Sequence, residues 1–133
     1  MEVVDQILDI ITWYRGVPSD YTDINELMHS RKELATLSVT LATEAAKARS
    51  DWKRKESRYD LEKCTKRIRF ENHGTTKADW YARVNTKAEQ EAYIEAENKY
   101  YELDYFLRSI REVLSEINQR VAALRAEIEN SKY

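Results

Sequence analysis

The chain has 133 residues, of which 35% are charged and 42% hydrophobic, and its formal net charge is −2. This length provides one domain, and no apolar run approaches the roughly 18 residues that cross a bilayer, so we expect no membrane partner. The N-terminus lacks the basic start of a signal peptide, and a single cysteine cannot form an intrachain disulfide. We therefore expect a cytoplasmic protein.

Residues that break helices are rare in this chain. Only Gly16, Pro18 and Gly74 have the backbone properties that interrupt a helix. The sequence therefore predicts an all-α fold, with a short N-terminal helix and a long antiparallel helical hairpin that is coiled-coil-like and turns near Gly74. We interpret the chain as a single helical domain, 1–133. It would comprise a leading helix at 1–15, a basic first arm at 23–72, a tip helix at 76–85 and a heptad return arm at 86–131.

The leading helix is amphipathic. Apolar residues recur on one side at helical spacing, and a short amphipathic helix needs a surface to cover. We expect it to cover the open end of the hairpin. These residues are Val4, Ile7, Leu8, Ile11 and Tyr14.

The first arm opens with a capping pattern, in which Thr22 or Asp23 caps the helix and Glu26 completes the cap. After Trp52 the apolar register shifts to Leu61, Cys64 and Ile68, so we expect Cys64 to be a packed thiol. The arm should end around Gly74, acting as a left-handed cap. Apolar seam positions before the shift are Ile24, Leu27, Leu34, Leu41, Ala45, Ala48, Trp52 and Tyr59.

Capping patterns also mark the tip helix and the return arm. A capped start at Thr76 predicts the tip helix, and Thr86 with Glu89 forms a capping box for the return arm. The return arm then has unbroken apolar steps of three and four, which is the pattern of a coiled-coil helix. Its seam positions are Tyr93, Ala96, Tyr100, Leu103, Leu107, Ile110, Leu114, Ile117, Val121, Leu124 and Ile128.

The apolar stripe of the return arm is wider than one partner helix needs. Phe106 and Val113 extend it, so a third surface should pack there and the protein should form a homo-oligomer. Antiparallel pairing of the arms would bring Trp52 to Phe106 and Tyr59 to Tyr100. The predicted oligomerisation residues are Leu103, Phe106, Leu107, Ile110, Val113, Leu114 and Ile117.

Charge is distributed unevenly along the chain. Residues 1–46 hold 3 basic and 8 acidic side chains, residues 47–87 hold 13 and 6, and residues 88–133 hold 6 and 10. The middle segment therefore has a balance of +7 between two acidic segments, and the hairpin would place it at one end. An asymmetry of this kind indicates an anionic partner.

Basic residues of the middle segment are interleaved with aromatic rings, as in proteins that bind single-stranded nucleic acid without sequence preference. We assign Trp52 and Tyr59 to the seam, whereas Trp80 and Tyr81 either stack on bases or pack the tip. A merely solvated charged face is the alternative interpretation. The candidate nucleic-acid-binding residues are Lys47, Lys53, Arg54, Arg58, Lys63, Lys66, Arg67, Arg69, Lys77, Trp80 and Tyr81.

Patterns of catalytic or metal-binding residues are absent from the sequence. His29 and His73 have no cysteine or histidine partner at metal-ligand spacing. The sequence also has no phosphate-binding glycine loop, nucleophile elbow or kinase signature. We expect no enzymatic activity, no cofactor and no metal.

The layout of the chain resembles the UvsY-like recombination mediators of tailed phages. The likeness extends from about Ser30 to Ser131 and concerns architecture and charge. Its basic arm contains Ala45-Ala46-Lys47-Ala48-Arg49, Trp52-Lys53-Arg54-Lys55 and Lys66-Arg67-Ile68-Arg69. A break follows at Asn72-His73-Gly74, and then an aromatic-rich return arm from Tyr93 to Phe106.

This resemblance implies a protein that binds single-stranded DNA, assembles into rings and helps a recombinase load onto DNA covered by single-strand-binding protein. The basic first arm would contact DNA and the heptad arm would form the assembly surface. Recombinase and single-strand-binding protein would be partners, in the host cytoplasm if a phage encodes the chain.

Two other classes of function remain open. One is a structural or scaffolding coiled coil, or an assembly factor, whose basic tip docks an acidic protein. The other is a small helical inhibitor or adaptor that binds a protein partner. Salt-sensitive DNA binding distinguishes the mediator from both.

Overall fold

The structure is a computed structural model that describes residues 2–132. Helices account for nearly all of this range, and no strand occurs within it. The elements are α1 (Glu2–Gly16), α2 (Ile24–Arg69), a 3₁₀ turn (Glu71–His73), α3 (Thr75–Val84) and α4 (Lys87–Asn130). The predicted all-α fold with two long helices is confirmed.

The chain forms two compact units. The terminal unit comprises Met1–Glu44 and Leu103–Tyr133, and the middle unit comprises Ala45–Glu102. The terminal unit thus contains α1 with the first half of α2 and the second half of α4. The middle unit contains the remaining halves of α2 and α4, together with the 3₁₀ turn and α3.

In the terminal unit, α1 packs against α4. Ile7 is fully buried and Tyr14 nearly so, which shows that the apolar side of α1 faces the interior. At the C-terminal end of α1, Arg15 pairs with Glu116 at 3.4 Å. Arg120 reaches the segment after α1 and donates a hydrogen bond to the carbonyl of Pro18.

The start of α2 has the predicted N-cap. Asp23 Oδ1 accepts a hydrogen bond from the backbone amide of Glu26 at 3.0 Å, which satisfies one amide of the first turn. The carboxylate of Glu26 does not complete the cap, because it accepts a hydrogen bond from the hydroxyl of Tyr21 instead.

The core of the terminal unit follows the predicted seam with one deviation. Leu27, Leu34 and Leu41 of α2 are fully buried, as the heptad spacing predicts. The seam of α4 drifts, because a straight helix rotates by about 20° per heptad relative to a seven-residue repeat. Val113 is therefore buried, whereas the predicted seam residue Ile128 is 51% exposed and that part of the prediction is wrong.

In the middle unit, α2 and α4 are antiparallel and joined by aromatic contacts. Trp52 stacks on Tyr100 at a ring-centroid distance of 5.5 Å, and Tyr59 lies 5.1 Å from Tyr93. The predicted pairing of Trp52 with Phe106 and of Tyr59 with Tyr100 is therefore wrong by about two helical turns.

The position of α3 explains this register. α3 folds back along α2 and thereby brings the end of α3 close to Lys66. The ammonium group of Lys66 donates a hydrogen bond to the backbone oxygen of Asn85, two residues before α4 begins at Lys87. The start of α4 consequently lies beside Lys66, whereas the predicted pairing requires it to lie near Glu71.

Gly74 is at the predicted turn but not in the predicted role. It joins the 3₁₀ turn to α3 with φ 95° and ψ 155°, so it is not a left-handed cap of α2, which ends at Arg69. Its carbonyl accepts from the amide of Ala78 at 2.9 Å in the first turn of α3. No side-chain hydrogen bond caps α3, so the predicted cap at Thr76 is wrong.

The predicted capping box of α4 is also wrong. Thr86 is completely buried, and its hydroxyl donates to the carbonyl of Ala82 at 2.6 Å instead of capping the amide of Glu89. Burial explains the difference, because the carbonyl of Ala82 lies within reach and a buried hydroxyl needs a partner.

Candidate nucleic-acid interface

All eleven candidate nucleic-acid-binding residues lie in the middle unit. Eight of them belong to the second half of α2, which ends at Arg69, and the other three, Lys77, Trp80 and Tyr81, belong to α3. The fold therefore brings the basic segment together on one compact unit.

Three of the cationic candidates are exposed and form no ion pair, hydrogen bond or cation–π contact within residues 2–132. These residues are Arg58, Arg69 and Lys77, and we refer to them as the tip cations. Because no carboxylate neutralises them, their charge is directed at solvent and is available to an anionic ligand.

Other cationic candidates have carboxylate partners. Arg54 contacts Asp51 at 2.9 Å, and Arg67 of α2 contacts Asp79 of α3 at the same distance. Arg54 and Lys55 both donate hydrogen bonds to Asp51, and these bonds lower the pKa of its carboxyl group. Arg67 thus attaches α3 to α2, a structural task that the sequence pattern does not reveal.

Three lysines make contacts within the chain that limit, to different degrees, how freely their ammonium groups could contact an anionic ligand. Lys53 pairs with Glu56 at 3.8 Å, and its ammonium group also lies 4.0 Å from the ring centroid of Trp52. Lys63 lies over the ring of Tyr59 at 5.4 Å. Lys66 is half-buried and bonded to Asn85, so its role is structural, whereas Lys47 is exposed.

The two aromatic candidates of α3 differ in exposure. Trp80 is 65% exposed, so most of its indole faces water. Tyr81 is half-buried and stacks on Phe70, at a centroid distance of 4.4 Å and an angle of 13°. Phe70 also stacks with His73 at 4.2 Å, so three rings hold α3 to the 3₁₀ turn. Trp80 is the ring that can accept a base, and Tyr81 packs the tip.

A cleft of about 400 Å³ adjoins α3 in the middle unit. It is lined by the basic residues Lys63, Arg67 and Arg83 together with Asp60 and Asp79. Arg83 was not among the sequence candidates, although it belongs to the same basic segment. Its place in this cleft could have been inferred only from the fold-back of α3 on α2, which the sequence does not show.

Cys64 is exposed, so the prediction of a packed thiol is wrong. Leu61 and Ile68, which share its register, are 66% and 63% exposed. The seam of α2 continues instead along the line of Tyr59 and Lys66. Since two residues correspond to about 200° of rotation, Leu61 lies on the opposite side of the helix from Tyr59.

The predicted oligomerisation residues all lie in the terminal unit and fall into two groups. Leu107, Ile110, Val113 and Ile117 are already buried within a single chain. Half-buried positions that retain apolar surface are Leu103, Phe106 and Leu114. Self-association itself stays a prediction.

Two other properties can be stated for residues 2–132. No group of three or more histidine, cysteine, aspartate and glutamate side chains is arranged to hold a metal ion in that range. Within the same range, no helix combines the length and the apolar character that crossing a membrane requires.

Comparison with known proteins gives no match. No protein-family model, no curated protein and no solved structure is significantly similar to this chain.

Proposed function

We propose that the protein binds single-stranded DNA without sequence preference through its middle unit. The observation that carries the proposal is that three exposed tip cations without ion pairs, Arg58, Arg69 and Lys77, belong to the same unit as the exposed ring of Trp80. The chain as a whole has a net charge of −2, so the excess of positive charge in this unit is local and does not come from a basic overall composition.

The proposed mechanism combines two contacts of different chemistry. Guanidinium and ammonium groups neutralise phosphates and release condensed counterions, which gives affinity without reading sequence. The ring of Trp80 stacks on a base, which requires that the base be unpaired. Stacking therefore supplies the preference for single strands over duplex.

We further propose that this binding serves a recombination mediator. The support is the resemblance in architecture and charge layout to UvsY-like phage proteins. In that role the DNA-bound protein would help a recombinase load where single-strand-binding protein covers the strand. Self-association, which the same role requires, would use the half-buried surface of Leu103, Phe106 and Leu114.

A fluorescence-anisotropy titration with labelled oligonucleotides at several salt concentrations tests DNA binding. Three phosphate contacts on a single strand give a log–log slope of affinity against salt of about −2. Binding should be tighter to an oligothymidine than to a duplex of equal length. Trp80→Ala should weaken binding by about 1–3 kcal/mol. Absence of binding to single strands at low salt would contradict the proposal.

A further inference from the structure

The second half of α2 has an outer face that combines arginines with exposed aliphatic side chains. All of its members are exposed, and a helical projection places them within roughly 60° on either side of Leu61. We call this set the outer face of α2. It consists of Arg54, Ser57, Arg58, Leu61, Cys64, Thr65 and Ile68.

No carboxylate lies on the outer face. The nearest acidic neighbours in sequence, Asp60 and Glu62, project roughly 100° away on the two flanks of the helix. Asp51 lies about one turn before the face begins, and its carboxylate forms ion pairs with Arg54 and Lys55. The face is therefore cationic at its first turns and apolar at its later ones.

The two aliphatic side chains are unusual for a surface with this charge. Leu61 is 66% exposed and Ile68 is 63% exposed, and they lie two helical turns apart, or about 10.5 Å. Phosphate groups provide no apolar surface that would bury them. A ligand that uses the whole face must offer anionic groups to the arginines and apolar groups to Leu61 and Ile68.

A cleft at the end of the face adds a place for one apolar side chain. It has a volume of about 260 Å³, lies between α2 and α3, and borders the face at Cys64 and Ile68. Its other lining residues are Arg67, Glu71, Thr75 and Ala78.

We propose that the outer face of α2 docks an acidic amphipathic helix of a protein partner. The two-turn separation of Leu61 and Ile68 matches the spacing at which an amphipathic helix repeats its apolar residues. Carboxylates flanking the apolar stripe of the partner would pair with Arg58, which has no ion pair within residues 2–132, and would share Arg54 with Asp51. The cleft would take the terminal apolar side chain of the partner. The face shares Arg58 with the proposed nucleic-acid interface, whereas Leu61 and Ile68 belong to the face alone and Lys77 and Trp80 lie in α3, outside it.

The test uses a defined probe and matched variants. The probe is a labelled helical peptide of about 20 residues, with leucines at alternating steps of three and four and glutamates on both flanks. The control probe replaces every leucine with glutamine and keeps the charge. The protein variants are Leu61→Gln/Ile68→Gln and, as a control, Val39→Gln/Ile128→Gln, which alters two exposed aliphatic residues of the terminal unit.

We expect the leucine probe to bind wild type and the control variant equally, and to bind Leu61→Gln/Ile68→Gln about tenfold or more weakly. The glutamine probe should bind all three proteins weakly and equally. Oligonucleotide affinity should be the same for Leu61→Gln/Ile68→Gln and wild type, with helicity unchanged in circular dichroism.

Three results would overturn the docking proposal. The first is equal affinity of the leucine probe for wild type and Leu61→Gln/Ile68→Gln. The second is a selective loss of oligonucleotide binding in that variant, which would assign the face to nucleic acid. The third is a wild-type self-association that the substitution abolishes, which would make a second copy of this chain the occupant.

Discussion

Two tryptophans of the middle unit show how position decides the role of one residue type. Trp52 is 8% exposed and lies against Tyr100 and Tyr101, whereas Trp80 is 65% exposed. The indole nitrogen of Trp52 has no hydrogen-bond partner within the described part of the chain. The stability that Trp52 provides therefore comes from packing and ring stacking rather than from its polar group.

Truncating Trp52 and truncating Trp80 should change the free energy of unfolding by very different amounts. Trp52→Ala should lower the free energy of unfolding by about 3–5 kcal/mol, because it removes a buried aromatic side chain. Trp80→Ala should change it by less than about 0.5 kcal/mol, since its ring faces water. Urea denaturation followed by circular dichroism measures both, and similar losses in the two variants would contradict the packing described here.

Tyr21 is a second residue whose surroundings have a measurable consequence. It donates a hydrogen bond to the carboxylate of Glu26, and burial together with that bond raises the pKa of Tyr21 to about 12, from an ordinary value of 10.0. The folded state therefore retains a proton that the unfolded state releases between these two pH values.

The raised pKa of Tyr21 predicts how the stability of the protein changes with pH. The stabilising contribution of neutral Tyr21 is fully present below pH 10 and is lost as the pH rises toward 12, because the unfolded chain then binds fewer protons. Tyr21→Phe should lack this component. Comparing the unfolding free energy of the two proteins between pH 9 and pH 12 checks it, and parallel pH profiles would exclude the pKa shift.

At the scale of elements, apolar periodicity predicted most of the fold. The seven-residue spacing of Leu27, Leu34 and Leu41 identifies a buried seam without knowledge of its partner. The register between α2 and α4 could not be predicted, because it depends on the fold-back of α3. That fold-back is fixed by tertiary contacts, such as that between Arg67 and Asp79, which have no local sequence signal.

The candidate interface was predictable only in part for the same reason. The sequence identifies which residues are basic, and their helical positions indicate that most are exposed. It does not reveal that Arg54 and Arg67 have carboxylate partners while Arg58 does not. Nor does it show that Leu61 lies outside the seam, since its spacing to Ile68 is also typical of a buried stripe.

The turn between α2 and α3 provides a test at this scale. Gly74 has φ 95° and ψ 155°, a region that side-chain-bearing residues almost never occupy, although nothing lies within 4 Å of the site of an added Cβ. Gly74→Ala should therefore cost about 1–3 kcal/mol of unfolding free energy through backbone strain alone.

The other glycine of the chain is a matched control. Gly16 also has open space around it, but it ends α1 without a positive φ. Gly16→Ala should be neutral or stabilise the protein by up to about 1 kcal/mol. Thermal unfolding of both variants measures the contrast, and a neutral Gly74→Ala would show that the turn relaxes without cost.

At the scale of the whole molecule, the half-buried apolar residues of α4 predict self-association. Wild type should sediment as an oligomer at micromolar concentration, and Phe106→Glu/Leu114→Glu should sediment as a monomer with unchanged helicity. Ala122→Glu/Ala123→Glu, which alters exposed positions of the same helix, is the control for added charge. A monomeric wild type would refute this prediction.

The segregation of charge is the other property of the whole molecule. Residues 47–87 carry 13 basic and 6 acidic side chains, yet the protein is acidic overall. If binding to single strands depended on total charge alone, any cation would contribute equally. If it depends on the tip cations, the location of each charge decides the affinity.

The most direct measurement compares two triple charge reversals by oligonucleotide anisotropy. One is Arg58→Glu/Arg69→Glu/Lys77→Glu, and the other reverses three exposed cations of the terminal unit with the same change in net charge. The control set is Lys32, Arg111 and Arg125. We predict that the tip reversal abolishes binding to single-stranded DNA while the control reversal leaves most of the affinity. Equal losses in the two variants, or binding that survives the tip reversal, would contradict the proposed interface.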